Sequence, residues 1–262
     1  MSPHPNLEIA VVSPAGARTA RDNGADRVEL CTGLELGGLT PSTATVEAAA
    51  EAGLPVHVLV RCRPGDFVYD AEEIALMAAE VRTTLRAGAR GVVVGALTAD
   101  GGLDTNALAA LAGAARDTAP AAEVTLHRAV DQASDPVAAV AALPGLGITR
   151  VLTSGGAPTA IEGSTVLAAM AAAAPGVDVA AGGGVRPGDI AGLLAAGATS
   201  VHLSAKTRAT PRRAAGWVPL GAGGTSAADD THFLTDGTVV AAARRALDAT
   251  VARSEEVRGT PR

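Results

Sequence analysis

The sequence of 262 residues predicts a single domain with the (β/α)8 fold, the TIM barrel. Two observations predict it: a pattern of glycine, short link and apolar strand that occurs four times, and helix-start signals between the strands. Strands that alternate with helices over short links form a parallel sheet, and eight such units in about 250 residues close it into a barrel. We expect one domain over residues 1–262, with a long loop at about 205–235 before the last helix.

The repeated pattern supplies half of the strands. It begins at Gly24, Gly88, Gly147 and Gly197, and each glycine can end a helix before a three-residue link and a β-branched strand. The sequence between consecutive copies has room for one more strand and two helices. The intermediate strands are predicted at Leu7–Val12, Val56–Arg61, Val124–Arg128 and Val177–Ala181.

Helix-start signals fall where the repeat requires helices. Asp70-Ala-Glu-Glu73 fits a capping box, Asp104 and Asp236 are suitable N-cap residues, and Asp135 precedes a proline. The exception to the short links is Thr207–Thr235, which is rich in Gly, Ala and Pro and carries Trp217. We interpret this segment as a flap or an oligomer contact, because long loops in compact domains are usually functional or mobile.

Charge and cysteine content exclude several classes of protein. The net charge of −6 argues against a nucleic-acid partner. Two cysteines are too few for a disulfide framework, and neither a signal segment nor a membrane-spanning apolar run is present. We therefore expect a cytoplasmic protein with no membrane partner.

Polar residues occupy the faces of the strands that would point into the barrel. The apolar faces, such as Leu7, Ile9 and Val11, would pack on helices. Buried charges are costly unless they are paired, so we expect Glu8 and Glu29 to form a network with Arg61 and the histidines. The inward positions carry Glu8, Glu29, Cys31, His57, Arg61, Thr125, His127, Ser154, His202 and Ser204.

Arg61, Arg63 and Asp66 lie at or beyond the end of one strand, where barrels place their chemistry. Two guanidinium groups could bind a phosphate or carboxylate in bidentate fashion. The alternative is an Arg–Asp ion pair that stiffens the loop.

His127, Arg128 and Asp131 follow the fifth strand. His127 could be a general acid or base oriented by a carboxylate, or a histidine satisfied within the interior network. Glu8 and Glu29 could act together on a substrate proton, or only neutralise a buried arginine. We expect structural roles for the deeper His57 and His202. Glu29, Arg61, His127 and Asp131 are the predicted catalytic residues.

Two glycine-containing loops follow the sixth and seventh strands. Ser154-Gly155 and Gly182-Gly183-Gly184-Val-Arg186 would let backbone N–H groups approach an anion, and Ser204 adds a hydroxyl at the end of the eighth strand. The alternative is that the glycines only make tight turns. The predicted ligand-binding residues are Glu8, Arg63, Asp66, Arg128, Ser154, Gly155, Gly183, Gly184, Arg186 and Ser204.

Cys31 and Cys62 end neighbouring predicted strands, and soft thiolates select Cu(I). The alternative is a pair of small buried thiols, since no C-x-x-C or methionine cluster accompanies them.

Six motifs together resemble those of the CutC family, in order from about Leu7 to Ser204. They are Arg27-Val-Glu-Leu-Cys31, Gly37-Gly-Leu-Thr-Pro-Ser42, Arg63-Pro-Gly-Asp-Phe-Val-Tyr69, His127-Arg-Ala-Val-Asp131, Leu152-Thr-Ser-Gly155 and Gly182-Gly-Gly-Val-Arg-Pro187. The family is described as copper-homeostasis proteins with a TIM-barrel fold. The resemblance implies a cytoplasmic homo-oligomer, for which we favour a dimer. Cys62 stands where the family usually has proline, which leaves Cys31 as the candidate metal ligand.

Two functions follow from these observations. The resemblance implies a CutC-type protein associated with copper homeostasis, with Cu(I) as the candidate cofactor. The residues themselves favour a barrel enzyme that acts on a small anionic or phosphorylated substrate by acid–base chemistry.

Overall fold

The computed structural model describes residues 5–210, 218 and 231–259 and shows a closed barrel of eight parallel strands. Each strand pairs with the next one along the chain, and the eighth pairs with the first, so that Glu8 is in register with both Arg27 and His202. The strands are β1 (Asn6–Val11), β2 (Arg27–Leu30), β3 (Val56–Leu59), β4 (Gly91–Val94), β5 (Glu123–Leu126), β6 (Arg150–Thr153), β7 (Asp178–Gly182) and β8 (Ser200–Leu203). The predicted (β/α)8 fold is confirmed.

Each barrel strand is followed in sequence by a helix, as the helix-start signals predict. Asp70 and Glu73 form the expected capping box, and Asp104 and Asp135 cap their helices with side-chain oxygens. The Asp236 carboxylate accepts the N–H of Thr238 at 2.8 Å. The helices are α1 (Pro14–Asp22), α2 (Thr43–Ala50), α3 (Ala71–Arg86), α4 (Thr105–Thr118), α5 (Pro136–Ala142), α6 (Ser164–Ala173), α7 (Ile190–Ala195) and α8 (Gly237–Gly259).

The main hydrophobic core lies between the strands and the helices. Ile9, Val28 and Val58 are fully buried there, as the period-two pattern of their strands predicts. Small residues such as Ala112 and Ala115 form the facing helix surfaces and let the helices approach the sheet closely. This packing directs every second side chain of the strands into the barrel interior.

The N-terminal end of the barrel interior is closed by a set of ion pairs that we call the floor: Arg27, Glu123, Arg150 and Asp178. Arg27 donates two hydrogen bonds to Glu123, at 2.7 and 3.0 Å, and Arg150 pairs with Asp178. Both arginines also pair with Glu8, at 2.6 Å and 3.6 Å. The expectation that Arg61 neutralises Glu8 and Glu29 is wrong, because the floor arginines lie closer to the Glu8 carboxylate and Arg61 binds backbone carbonyls.

The segment after β8 carries two short antiparallel strands, β9 (Lys206–Arg208) and β10 (Phe233–Thr235). The Lys206 ammonium lies 4.5 Å from the centroid of the Phe233 ring. The interpretation of this loop as a flap or oligomer contact, including Trp217, falls mostly outside the described residues. None of the described helices is long and apolar enough to cross a membrane.

Candidate functional site

A cavity of about 260 Å³ opens at the C-terminal ends of the strands. It is the expected position for chemistry in this fold, because the loops after the strands converge there. Seven of the predicted site residues lie in its wall, so the sequence-based prediction of a shared mouth agrees with the geometry. They are Glu29, Arg61, His127, Arg128, Gly183, Gly184 and Ser204.

Arg61 lies in the cavity wall with only 6% of its surface exposed. Its Nη1 donates to the carbonyls of Leu36 and Gly38, at 3.0 and 3.1 Å, and its Nη2 donates to that of Gly65 at 2.8 Å. Its Nε has no hydrogen-bond partner, and none of the described carboxylates lies within ion-pair distance of it. Arg61 is therefore a buried positive charge whose acceptors are all neutral.

Arg128 reaches the cavity from the short 3-10 helix that follows β5. Its Nε donates to Asp131 at 2.7 Å and its Nη2 donates to the Ser154 hydroxyl at 2.9 Å. Asp131 in turn accepts the backbone N–H groups of Ser154 and Gly156, at 3.0 and 3.2 Å, and the hydroxyl of Thr153. Asp131 thus binds the loop after β6 and orients Arg128, and it is not among the cavity-lining residues.

The loop after β7 faces Arg128. Gly183 and Gly184 have φ angles of 112° and 63°, which favour glycine. A Cβ atom on Gly183 would lie 3.0 Å from that of Ser154 and 3.1 Å from Cζ of Arg128. The N–H groups of Gly183, Gly184 and Val185 make no hydrogen bond to a described residue. Free N–H groups next to a guanidinium form a site suited to an anion.

Glu29 is the carboxyl group of the cavity. It is 7% exposed, and its Oε2 atom is buried without a hydrogen-bond partner among the described residues. Burial raises the pKa of Glu29, and the nearby charge of Glu8 acts in the same direction, while His202 opposes the shift. A carboxyl group of this kind can hold and release a proton closer to neutral pH than a solvated one.

His202 links Glu29 to Glu8 in the interior. Its Nδ1 lies 2.7 Å from a Glu8 oxygen, and a ligand atom from each of the three side chains fits within 4.8 Å of the others. Although burial acts to lower it, the pKa of His202 is raised by the hydrogen bond to Glu8 and by the charges of Glu29 and Glu8. The ring lies in the cavity wall, so the expectation of a purely structural role for His202 does not match its position.

The pKa of Glu8 lies well below its ordinary value, although burial acts to raise it. Arg150, the hydrogen bond with His202, and Arg27 together stabilise the carboxylate. Glu8 is 2% exposed and does not line the cavity. Its geometry is that of a buried anion that orients His202.

His127 does not have the carboxylate orienter considered from the sequence. Its Nδ1 accepts the backbone N–H of Ala129 at 3.1 Å. Burial lowers the pKa of His127 to about 3, the charge of Arg61 lowers it further, and Asp131 opposes the shift only weakly. The ring is therefore neutral at physiological pH. The deeper His57, whose pKa burial lowers to about 4, lies 3.8 Å from Glu123 of the floor and fits its expected structural role.

Six predicted ligand-binding residues lie outside the cavity wall: Glu8, Arg63, Asp66, Ser154, Gly155 and Arg186. Arg63 pairs with Glu73 and with Asp66, the latter at 3.2 Å, and stacks over the Tyr69 ring at 4.9 Å. This geometry is the ion pair that stiffens the loop, the alternative considered from the sequence. Arg186 is exposed at the start of a 3-10 helix, where its N–H donates to Asp189 at 2.9 Å.

Gly155 and Ser154 support the cavity without lining it. The N–H of Gly155 donates to the Thr153 hydroxyl at 2.9 Å, and its Cα approaches Gly163 closely. The Ser154 hydroxyl is shared between Arg128, Asp131 and the Ala157 carbonyl. Ser154 therefore holds the Arg128 side chain in place.

The two cysteines pack in different parts of the barrel. Cys31 is 1% exposed and packs inside the barrel with Leu59 and Val93, whereas Cys62 packs against the outer core. Burial raises the pKa of the Cys31 thiol, and Glu29 adds to the shift, so the thiolate that Cu(I) requires is disfavoured. Glu8, Glu29 and His202 are spaced for a metal ion, but Glu8 is already paired with two arginines.

Several apolar residues of the wall were not singled out from the sequence. Three of them lie in barrel strands and three lie in the segments after β2, β3 and β7, where no periodic pattern indicates which side chains turn inward. Phe67 is the clearest example: its ring lies 5.0 Å from Cζ of Arg61 and 4.9 Å from the His127 ring. The others are Ala10, Leu34, Leu59, Leu152 and Val185.

Comparison with known proteins identifies close relatives. A CutC protein of Xylella fastidiosa is 42% identical over 210 residues, covering 79% of this chain and 77% of the relative. A CutC protein of Sinorhizobium medicae is 39% identical over 250 residues, covering 95% of this chain and 98% of the relative. These matches extend over nearly the whole barrel.

Solved structures agree with the sequence relatives. A CutC protein of Streptococcus agalactiae, provisionally named for copper homeostasis, superposes with a TM-score of 0.70 and 27% identity, covering 76% of this chain and 98% of that one. A barrel from Burkholderia cenocepacia, provisionally described as a phosphonomutase, superposes at 0.58 with 19% identity and shows the fold alone. The profile of the CutC family matches residues 6–207. The chain belongs to the CutC family.

Proposed function

We propose that this protein is an enzyme that binds a small anionic ligand, such as a phosphorylated metabolite, at the barrel mouth and acts on it by acid–base chemistry. The observation that supports this most is the buried guanidinium of Arg61, which has no described carboxylate partner and lines the cavity. A buried charge with only neutral acceptors is costly, and an anionic ligand in the cavity compensates it.

The anion group of the ligand is held between Arg128 and the loop after β7. Gly183 lies next to the Arg128 guanidinium, the N–H groups of Gly183 and Gly184 have no partner among the described residues, and Ser204 lies in the same wall. Charge-assisted hydrogen bonds of this kind are stronger than neutral ones. The loop after the seventh strand is also where barrels of this fold commonly bind phosphate.

The proton-transfer group is Glu29. Its Oε2 atom has no hydrogen-bond partner among the described residues, and its raised pKa suits a group that takes and returns a proton. His202, held by Glu8, lies beside it and stabilises the carboxylate form when the proton leaves Glu29. Glu8 and Asp131 act in this proposal as positioning residues, for His202 and Arg128 respectively.

A ligand screen by thermal shift tests the proposal. The panel contains inorganic phosphate, small phosphate monoesters, phosphonates and dicarboxylates, each added to wild type, Arg128→Ala and Arg18→Ala. Arg18 is exposed on α1 and is the matched control. A ligand present at about 100 times its Kd raises the free energy of unfolding by about 2.7 kcal/mol.

We expect at least one anion of the panel to stabilise wild type and Arg18→Ala, and to lose most of that effect in Arg128→Ala. The proposal fails if no anion stabilises the wild-type protein. It also fails if every stabilising anion acts equally on Arg128→Ala, because binding would then lie elsewhere on the surface.

A role in copper homeostasis is the second candidate, favoured by the name of the Streptococcus agalactiae relative. Cys31 is the thiol nearest to the interior carboxylates, so it remains the candidate ligand. Titration of Cu(I) into wild type and Cys31→Ser, followed by calorimetry, separates the outcomes. Unchanged binding in the variant removes the thiol hypothesis, and loss of stoichiometric binding supports it.

A cytoplasmic location and a homodimer belong to the same proposal, since both come from the family resemblance. Light scattering coupled to size-exclusion chromatography measures the assembly directly. A mass of twice 25.7 kDa supports the dimer, and a mass of one chain contradicts it.

A further inference from the structure

The His127 ring is fixed in one tautomer by the backbone around it. The N–H of Ala129 donates to Nδ1 at 3.1 Å, so Nδ1 carries a lone pair and the proton of the neutral ring is on Nε2. The ring is 5% exposed and packs against Gly95, where a Cβ atom would lie only 2.3 Å from the imidazole. The His127 ring can occupy this position because Gly95 has no side chain.

The Nε2–H group of His127 has no acceptor. Nε2 is buried and makes no hydrogen bond to any described residue, although the ring belongs to the cavity wall. An unsatisfied buried donor costs about 1–3 kcal/mol, so an orphan at a pocket indicates a ligand that supplies the partner. Glu29, on the other side of the barrel interior, has an unpartnered buried oxygen in the same cavity wall.

The charge state of His127 restricts the acceptor that suits it. Burial, together with the charge of Arg61, lowers its pKa to about 3, although a backbone hydrogen bond of the ring and the charge of Asp131 act in the opposite direction. The ring donates a hydrogen bond at neutral pH without carrying a positive charge. A neutral donor polarises a carbonyl oxygen and stabilises the negative charge that develops on it.

We propose that the ligand is a small anionic carbonyl compound with a C–H bond next to its carbonyl group. This proposal rests on the proposed function. The carbonyl oxygen accepts the Nε2–H of His127, and Glu29 removes the proton from the adjacent carbon. The anionic group lies between Arg128 and the Gly183–Val185 loop.

The step balances without another reactant. The C–H bond breaks, its proton forms an O–H bond with the Glu29 carboxylate, and the electron pair forms the C=C bond of an enolate. The carbonyl oxygen takes the charge and is stabilised by the hydrogen bond from His127. Return of the proton from Glu29 to the same carbon regenerates the carbonyl compound, and a carboxyl group that has exchanged with D2O delivers deuterium to that carbon.

Exchange of the C–H proton in D2O, followed by ¹H NMR, tests the proposal. The probes are dihydroxyacetone phosphate, glyceraldehyde 3-phosphate, pyruvate and oxaloacetate, with glycerol 3-phosphate as the non-carbonyl control. Each is incubated with wild type, Glu29→Gln, His127→Gln and His232→Gln. His232 is exposed outside the cavity and is the matched control for the histidine change.

We expect at least one carbonyl probe to exchange faster than in buffer alone, with wild type and His232→Gln equal. Loss of an oxyanion donor lowers a rate about 10²–10³-fold, so His127→Gln should lose that factor while its binding of inorganic phosphate stays within about twofold. Glu29→Gln should lose about 10²–10⁴-fold, as expected for removal of a general base.

Phosphate binding that depends on Arg128, together with exchange no faster than buffer for every probe, overturns the carbonyl proposal and leaves the anion site standing. Absence of any anion binding overturns the proposed function itself. Long-range ¹H–¹⁵N NMR of the histidine rings is an independent check: at pH 7 it should show His127 as the neutral Nε2–H tautomer. A protonated ring or the Nδ1–H tautomer contradicts the proposal.

Discussion

At the scale of single residues, the titratable side chains in the barrel interior differ in their charge state: some are ionised and others are neutral. Glu8 remains ionised because Arg27 and Arg150 lie beside it, whereas burial keeps His127 neutral. Glu29 lies between these cases, with a raised pKa and no hydrogen-bond partner. Environments that push the pKa values of titratable groups apart are typical of catalytic sites.

The pH dependence of stability tests the neutral state of His127. Its pKa in the folded protein is about 3, below the ordinary 6.5, so the unfolded chain binds the proton first as the pH falls. The contribution of the neutral His127 ring to the free energy of unfolding is fully present above pH 6.5 and is lost as the pH falls toward 3. Between pH 7 and 5 we expect this residue to account for about 2 kcal/mol of lost stability.

Urea denaturation at pH 7, 6 and 5 measures that loss. His127→Gln should flatten the dependence by about the same 2 kcal/mol, because glutamine does not titrate there. His232→Gln, at an exposed position, should follow wild type. A His127→Gln protein as sensitive to acid as wild type would mean that the imidazole is not neutral in the fold.

At the scale of elements, loops supply the candidate chemistry and strands orient it. The strands place Glu29 and His202 inward by simple alternation. The loop after β5 supplies Arg128 and Asp131, the loop after β6 binds both of them through Ser154, and the loop after β7 approaches Arg128 at Gly183. In the proposed function, these three consecutive loops form one anion-binding surface.

Gly183→Ala tests that surface. The added Cβ would lie 3.1 Å from Cζ of Arg128, at a φ angle that L-residues avoid, so the guanidinium must move. We expect binding of the stabilising anion to weaken about tenfold or more, equivalent to about 1.4 kcal/mol, measured by calorimetry.

Gly113→Ala is the matched control, because nothing lies within 4 Å of a Cβ atom added inside α4. Its anion affinity should equal that of wild type, and its stability should rise by about 0.5–1 kcal/mol because alanine favours helix. Equal affinities of the two variants would show that the loop after β7 does not contact the anion.

At the scale of the whole molecule, the two ends of the barrel interior differ in how their charged side chains are paired. The floor joins four strands that are distant in sequence, since Arg27 and Glu123 are separated by 96 positions. The charges of the floor are paired with one another, whereas neither Arg61 nor Glu29 at the mouth forms a salt bridge within the described part of the chain. Paired charges at one end favour stability, and unpaired charges at the other favour ligand binding.

Arg150→Ala tests this division. Arg150 is 1% exposed, and its removal leaves Asp178 without its arginine partner and removes one of the two arginines paired with Glu8. Breaking a buried pair costs about 3–5 kcal/mol, which urea denaturation can measure. Arg90→Ala, an exposed neighbour at the same end, should cost less than about 0.5 kcal/mol. A cost of similar size for the two variants would contradict a stabilising floor.

The sequence predicted the barrel and seven residues of the mouth because strand alternation and strand ends depend on local pattern alone. It did not predict which arginine neutralises Glu8, because that depends on strand register around the closed barrel. Arg27 was not among the predicted interior residues, although alternation from Glu29, two positions later, indicates an inward side chain; its partners come from β1 and β5. The tautomer of His127 depends on one backbone N–H group, which no side-chain pattern reveals.

The most direct test of a shared anion-binding mouth is a ¹H–¹⁵N NMR titration of the wild-type protein with inorganic phosphate. We expect the amide signals of Gly183, Gly184 and Val185 to shift most, with one common Kd. Arg128→Ala should increase that Kd, and Arg18→Ala should leave it unchanged. The account is contradicted if these three amides stay in place while the largest shifts occur at the outer helices, or if phosphate shifts no signal at the mouth.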